Sequence, residues 1–241
     1  MSGRRAEGPS LVAQATQAVR DHIRAHDLKV GDALPGEAHF AELVGVSRAV
    51  IREAFGALAA LRLIDVGNGR RARVSAIDGS VIAVSIEHAV ATAQVSIPEI
   101  WDVRRTLEVR TAVLAATERT DEEARTILML AEAIADAGDD LEAVTRSDIA
   151  FHEAIALASR NALFVQIISS FEPMMERAVP AAWRTRTAAE QRTNILDQHR
   201  ALARAIADRD PQAARAAMEG HFDASIGHQL LAATLDRADA A

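Results

Sequence analysis

The chain has 241 residues, no cysteine and a formal net charge of −7. Without cysteine, disulfides and thiolate metal sites are excluded, so any metal must be held by histidine, aspartate or glutamate. No apolar run approaches the roughly 20 residues of a membrane span, and the N-terminal segment Met1 to Arg5 lacks the apolar stretch of a secretion signal. We therefore expect a soluble, cytoplasmic protein with no membrane partner.

The charge is spread unevenly along the chain. Residues 1–75 carry a net charge of +3, whereas residues 76–241 carry −10. A basic module joined to an acidic body fits a protein that touches nucleic acid at one end only. The length suggests two domains, which we place at residues 1–76 and 77–241.

The first 75 residues show the element order of a winged helix-turn-helix. Helical spacing of apolar residues predicts helices over 11–26 and 37–44, and Gly45 predicts a turn. Ser47 has the side chain of an N-cap for a third helix. Gly67-Asn68-Gly69, between strand-like segments 63–66 and 71–74, is a strong hairpin signal. The apolar stripe of the third helix is expected to consist of Ile51, Ala54, Leu58 and Leu61.

This module has the residue types that DNA recognition needs. Arg48 and Arg52 lie one turn apart beside the apolar stripe, where each can donate two hydrogen bonds to a guanine or bind phosphates. The glycine-rich wing tip can approach the DNA backbone closely, and its arginines supply counter-charge. Solvation of a helix face would explain one arginine pair, but not the turn and hairpin that accompany it. The expected DNA-contacting residues are Ser47, Arg48, Ala49, Arg52, Gly69, Arg70 and Arg71.

From residue 80 onward the pattern predicts an all-helical domain of six or seven amphipathic helices. The expected spans are 80–95, 98–117, 121–137, 139–160, 161–178, 186–207 and 210–236. Asn161 can cap the fifth of these helices. The fold class is therefore mainly α, with a winged helix-turn-helix followed by a helical bundle.

Polar side chains fall on the apolar faces of three of these helices. Asp148 and His152 share one stripe, His199 lies in line with Ile195, and His221 lies one turn after Met218. Because buried polar groups need partners, a carboxylate and three imidazoles in this position suit zinc, nickel, manganese or another divalent ion. The alternative is that each histidine is a hydrogen-bonded core residue and that the aspartate–histidine pair is a surface ion pair.

Arg104 is a candidate partner for a ligand carboxylate, because a guanidinium binds a carboxylate through two parallel hydrogen bonds. A structural pair with Glu108, four residues later on the same helix, is an equal alternative.

Two segments of the first domain, Leu34 to Glu37 and Gly45 to Ala54, resemble the signature of GntR-type transcription regulators. The resemblance implies that Arg48 and Arg52 contact operator DNA and that Gly69 reaches the minor groove. Where that family usually has Pro-Ser-Glu-Arg, this chain has Pro35-Gly36-Glu37-Ala38, so one expected DNA-contacting arginine is missing. The wing also lacks the family's apolar or aromatic residue near Arg71. Both departures concern the usual operator consensus rather than DNA binding itself.

The second domain resembles the FCD ligand-binding domain of the FadR branch of that family. The resembling segments, in matching order and spacing, are 104–108, 148–152, 159–161, 197–199 and 218–221. The resemblance implies an antiparallel helical bundle and a divalent metal bound by Asp148, His152, His199 and His221. Some members of the branch lack the metal and bind acyl chains. The presence of all four metal-binding residues in this chain argues against acyl-chain binding.

These expectations describe a homodimeric repressor that reads a palindromic, double-stranded operator with half-sites about one turn apart. A small organic acid, such as a sugar acid or hydroxy acid, is expected to bind the metal, zinc before nickel or manganese, and to relieve repression. Two other classes of protein stay open: a metal-dependent enzyme built on the His/Asp set, and a constitutive DNA-binding protein with a structural metal. We expect no enzyme, because no base lies beside the site and a winged helix is an odd companion for catalysis.

Overall fold

The computed structural model describes residues 9–67, 69–186 and 188–224, which form two compact units that divide after Val81. The first unit combines helices with a small sheet, and the second is all-helical. Within these described ranges, no helix has both the length and the apolar character needed to cross a membrane.

The first unit is a winged helix-turn-helix, as its sequence predicts. Its elements are α1 (Leu11–Ala25), α2 (Glu37–Val44), α3 (Arg48–Ala60), β1 (Ile64–Asp65) and β2 (Arg73–Val74). The two strands are antiparallel, with Ile64 opposite Val74, and Ala33 adds a bridge to Arg73. Asn68, at the expected tip of the hairpin, lies outside the described residues.

Two residues set the turn between α2 and α3. Gly45 ends α2 in the left-handed conformation, at φ 74°, which glycine adopts without a Cβ clash. Ser47 caps α3, because its hydroxyl accepts a hydrogen bond from the N–H of Val50 at 3.4 Å. The predicted N-cap is therefore confirmed, and it orients the first turn of α3.

The apolar faces of these elements meet in one core, and one expected member of it is wrong. The core consists of Ala15, Val19, Leu34, Phe40, Ile51, Ala54, Phe55, Leu58, Ile64 and Ala72. Leu61, which we expected on the stripe of α3, is 52% exposed. It is the C-cap of α3, and Arg62 next to it has φ 56°, so the chain turns before Leu61 can face inward.

The second unit contains eight helices in its described part, rather than six or seven. They are α4 (Ser80–Ala91), α5 (Ile97–Glu118), α6 (Asp121–Asp136), α7 (Leu141–Ala158), α8 (Ala162–Ser169), α9 (Glu172–Thr185), α10 (Ala189–Ala207) and α11 (Pro211–Ala224). The expected helix over 161–178 is two helices, because Pro173 lacks the N–H that would continue α8 and instead lies in the first turn of α9. The last helix was expected to run to residue 236, and residues 225–241 lie outside the described part.

Helix α5 packs against α7 and α11, while α10 packs against α6 and α11. The largest fully buried side chains among them are Ile127, Ile134, Phe151, Ile155, Leu202, Ile206 and Met218. Asn161 caps α8 as predicted, accepting a hydrogen bond from the N–H of Leu163 at 3.0 Å. This packing turns the inner faces of α5, α7, α10 and α11 toward one interior region.

Candidate functional site

Four polar side chains of the second unit meet in its interior. His152 of α7, His199 of α10 and His221 of α11 offer ring nitrogens that lie within 4.8 Å of one another. Asp148, one turn before His152, brings Oδ1 to 3.1 Å from Nε2 of His199. The three histidines are between 2% and 6% exposed. The structure thus brings together the four residues that the sequence singled out as metal ligands.

Hydrogen bonding determines which nitrogen of His199 faces the cluster. Its Nδ1 lies 2.8 Å from the carbonyl oxygen of Ile195, which can only accept, so Nδ1 carries a hydrogen. In the neutral ring, Nε2 is then a bare lone pair that faces a carboxylate oxygen of Asp148. Two acceptors at this distance repel each other unless a proton or a metal ion lies between them. This local geometry suits a cation.

His152 is oriented by a carboxylate from a different helix. Oε2 of Glu108, in α5, lies 2.5 Å from Nδ1 of His152, and the Glu108 side chain is 1% exposed. Such an outer partner leaves the other ring nitrogen to bind a metal and makes it a better ligand. Burial lowers the pKa of His152, but the Glu108 carboxylate outweighs burial and raises that pKa above its ordinary value.

The other two members of the cluster are held in the protonation states that a metal requires. Burial, followed by the charges of His199 and His152, lowers the pKa of His221 well below its ordinary value. Burial opposes ionisation of Asp148, yet the contact with His199 and the charges that the nearby histidines carry when protonated hold its pKa far below the ordinary range. Nδ1 of His221 is buried and has no hydrogen-bond partner among the described residues. A neutral imidazole and an ionised carboxylate are the ligand forms that bind divalent metals.

A cavity of about 50 Å³ lies beside the cluster. Because one water needs ~10–15 Å³ of such space, the cavity has room for a few water-sized groups or a short organic molecule. Its other lining residues include Trp101, Arg104, Met175, Trp183, Arg186 and Phe222. The indole Nε1 of Trp183, one of these lining residues, is buried without a hydrogen-bond partner in the described part of the chain.

Arg104 forms the pair with Glu108 and also lines the cavity. Its Nε and Nη2 lie 2.9 and 2.8 Å from Oε1 of Glu108. Its Nη1 contacts the sulfur of Met175, and its guanidinium carbon lies 4.9 Å from the ring centroid of Trp101. Glu108 engages two of the five guanidinium N–H groups. The structural pair of Arg104 with Glu108 is therefore present, and Arg104 lines the cavity as well.

Two residues of this site escaped the sequence analysis. Glu108 was considered only as a partner of Arg104, because its contact with His152 joins two helices that no local spacing relates. Arg186 follows the end of α9, where no periodic pattern marks it, and yet it is 8% exposed and lines the cavity. Packing between helices, rather than a motif, places both of them.

In the first unit, the arginines expected to contact DNA border one groove. The groove is lined by Arg48, Arg52, Gly69, Arg70 and Arg71, together with Ala38, where the resembling family has an arginine. Ser47 and Ala49 are exposed at the start of α3. The groove therefore unites the start of α3 with the wing.

Two of these arginines are held by carboxylates. Nε and Nη2 of Arg52 lie 3.3 and 3.2 Å from Glu37, and Nη2 of Arg70 lies 2.7 Å from Asp65. Both pairs are largely exposed, and exposed ion pairs are weak. Arg48 forms no ion pair with any residue that the structure describes. These side chains are therefore free to exchange their partners for nucleic acid.

Two protein families match this chain. Residues 11–74 match the family described as bacterial regulatory proteins, gntR family, and residues 99–224 match the FCD domain. The Glc operon transcriptional activator of Escherichia coli (strain K12) is 30% identical over 200 residues, which cover 80% of this chain and 79% of that protein. The HTH-type transcriptional repressor NanR of Salmonella newport (strain SL254) is 28% identical over 204 residues, covering 83% and 78%.

A solved structure, Streptococcus agalactiae GntR, supports the fold. It has a TM-score of 0.66 and 24% sequence identity, and the match covers 90% of this chain and 99% of that chain.

Proposed function

This chain belongs to the GntR family of bacterial regulatory proteins and carries an FCD domain, and from that membership we propose that it is a repressor released from its operator by a small organic acid. Residues 1–76 bind the operator, and residues 77–241 bind the acid and form the homodimer. The observation that carries the proposal is the meeting of Asp148 with three histidines beside a cavity.

Family membership makes the chain a transcription regulator and not an enzyme. The two relatives described above are named as an activator and a repressor of transcription, so the enzymatic alternative for the His/Asp set is set aside. Between the two directions of regulation we choose repression, because the family that the sequence resembles acts mostly in that way.

Operator recognition is assigned to the groove between α3 and the wing. Arg48 and Arg52 read base edges in the major groove from the first turn of α3, with Ser47 and Ala49 beside them. Gly69, Arg70 and Arg71 bind the backbone or minor groove from the wing. Two copies related by a twofold axis then read a palindrome, which is how symmetric dimers double their contacts. Ala38 makes the expected operator differ from the family consensus.

A divalent metal is assigned to Asp148, His152, His199 and His221. The donor set of one carboxylate and three imidazoles suits zinc first, and nickel or manganese after it. Glu108 lies against Nδ1 of His152, and the Ile195 carbonyl accepts a hydrogen bond from Nδ1 of His199, so these two rings are each left with Nε2 for the metal. When bound, the metal supplies a positive centre that attracts a carboxylate oxygen.

The effector is assigned to the cavity beside this set. Two donors on its wall, the N–H groups of Arg104 that Glu108 does not engage and Nε1 of Trp183, suit the oxygens of a carboxylate or hydroxyl group. The size of about 50 Å³ favours a short hydroxy acid over a six-carbon sugar acid. The acid acts only if it binds the operator-free arrangement more tightly than the operator-bound one.

Organic acids are expected to stabilise the protein only when the metal is present. A thermal-shift series with glycolate, lactate and gluconate, on zinc-loaded protein and on protein stripped by a chelator and dialysed, tests this. An acid at 100 times its Kd stabilises by about 2.7 kcal/mol, which raises the melting temperature by several degrees. Equal shifts in the stripped protein would contradict a metal-bound effector. An acid that binds without changing operator affinity would favour the constitutive alternative.

Glu108→Gln is expected to lower zinc affinity about 10- to 100-fold, because the neutral amide attracts the His152 ring less strongly than the carboxylate that lies 2.5 Å from Nδ1. Zinc competition titrations with a fluorescent chelator measure the effect. Glu118→Gln, an exposed residue at the end of the same helix, is the matched control and should bind zinc like the wild type. Equal affinities of the two variants would show that Glu108 does not support the metal.

A further inference from the structure

Arg186 is a buried cation whose guanidinium has no hydrogen-bonded partner among the residues that the structure describes. Arg186 is 8% exposed, and it lines the same cavity as Asp148 and the three histidines. Within the described part of the chain, its guanidinium forms no hydrogen bond and no ion pair. Burial, the larger effect, lowers the pKa of Arg186, and the more distant charge of Asp148 offsets this only in part. A buried charge without a hydrogen-bonded partner is costly, so an anionic ligand group in the cavity would stabilise it.

The backbone of Arg186 is anchored, so this placement is not a feature of a loose chain end. Its N–H donates to the carbonyl of Trp183 at 3.2 Å, and its own carbonyl accepts from Nε of Arg192 at 3.0 Å. It is also the C-cap of α9, and cations are favoured at the C-terminus of a helix. The backbone therefore fixes the position from which the Arg186 side chain lines the cavity.

The charges around the cavity define the effector. Arg104 and Arg186 on the wall are positive and Asp148 is negative. Glu108 does not line the cavity but pairs with Arg104, so with neutral histidines these four charges balance. A divalent metal adds two positive charges. An acid with a single carboxylate compensates one of them, whereas an acid with two carboxylates compensates both.

Two further carboxylates lie nearby without changing this balance. Glu153 and Glu172 border a smaller cavity, which shares Arg104, Asp148 and His152 with the larger one. Glu172 is exposed, and Glu153 accepts a hydrogen bond from the hydroxyl of Ser169 at 2.8 Å. Neither residue lines the larger cavity, so neither faces a ligand bound there.

We propose that Arg186 binds a second anionic group and that the effector is accordingly a short-chain dicarboxylate, with one carboxylate on the metal and the other on Arg186. This inference rests on the proposed function, because the charge balance includes the metal. The cavity of about 50 Å³ limits the acid to a chain of two to four carbons. Malonate, hydroxymalonate and malate have this chemistry, and glycolate and lactate are the matching monocarboxylates.

The test compares Arg186→Gln with wild type by calorimetric titration of zinc-loaded, full-length protein with hydroxymalonate and with lactate. The wild type should bind hydroxymalonate at least tenfold more tightly than lactate. In Arg186→Gln the hydroxymalonate affinity should fall about 10- to 100-fold, as expected for a lost hydrogen-bonded charge pair, while the lactate affinity should change less than threefold. Arg186→Lys should keep part of the preference. Arg184→Gln, an exposed arginine at the end of the same helix, should behave like the wild type.

Zinc content, measured after each titration, controls for removal of the metal by the dicarboxylate itself. A wild type that prefers lactate, or an Arg186→Gln variant that weakens both acids equally, would overturn the assignment of Arg186 while leaving the metal-bound effector intact. Binding of neither acid, or binding that survives removal of zinc, would refute the proposed function and this inference together.

Discussion

His199→Ala is expected to leave the helices folded and to lower zinc affinity by more than about 100-fold. The effect should exceed the 10- to 100-fold loss typical of an outer partner, because His199 is assigned as a direct ligand. The variant removes the nitrogen that faces Asp148 at 3.1 Å and leaves two imidazoles and one carboxylate. Zinc content after dialysis, measured by elemental analysis, gives the occupancy, and competition with a chelator gives the affinity.

The same variant should lose its response to the acid. Without the metal, an effector carboxylate has no positive centre to bind, so the variant should stay on operator DNA at acid concentrations that release the wild type. His88→Ala, which alters an exposed histidine of α4, is the matched control and should keep both zinc and response. His199→Gln, which fills the space that alanine leaves empty, separates loss of a ligand from loss of packing. Full zinc occupancy in both His199 variants would defeat the ligand assignment.

The sequence predicted well those features that depend on neighbouring residues. The bounds of α2 and the start of α3 follow from Gly45 and Ser47, which act on the turn that contains them. The histidines were found because each lies on the apolar stripe of its own helix, and a stripe is readable from spacing alone. The helices pack around a single core, and their apolar stripes therefore face the same interior region.

The features that the sequence did not predict depend on contacts between distant segments. Glu108 reaches His152 because α5 packs on α7, and Arg186 enters the cavity because α9 ends beside α7 and α10. The division of α8 from α9 is different, since Pro173 is a local signal that was available and was overlooked. Leu61 was misplaced because the periodicity of α3 was extended through its C-cap, where the backbone had already left the helix.

Arg48→Ala combined with Arg52→Ala is expected to lower affinity for a specific duplex about 30- to 20 000-fold. Each guanidinium that donates two hydrogen bonds to a base contributes about 1–3 kcal/mol of discrimination, and every 1.4 kcal/mol is tenfold in affinity. Both side chains border the groove between α3 and the wing. The pair of Arg52 with Glu37 does not oppose this role, because the Arg52 side chain is 74% exposed and an ion pair at the surface is weak enough to be exchanged for a contact with DNA.

A duplex selected by the wild type from a random pool serves as the probe, and its scrambled sequence serves as the nonspecific reference. Gel-shift titrations of both duplexes give the discrimination ratio, and the dependence of affinity on salt should become shallower as phosphate contacts are lost. Arg110→Ala combined with Arg125→Ala removes the same charge from exposed positions of α5 and α6 and should leave the ratio unchanged. If the Arg48 and Arg52 variant kept the wild-type ratio, the start of α3 would not read the operator. Recognition would then have to come from the wing, where Arg70 and Arg71 line the same groove.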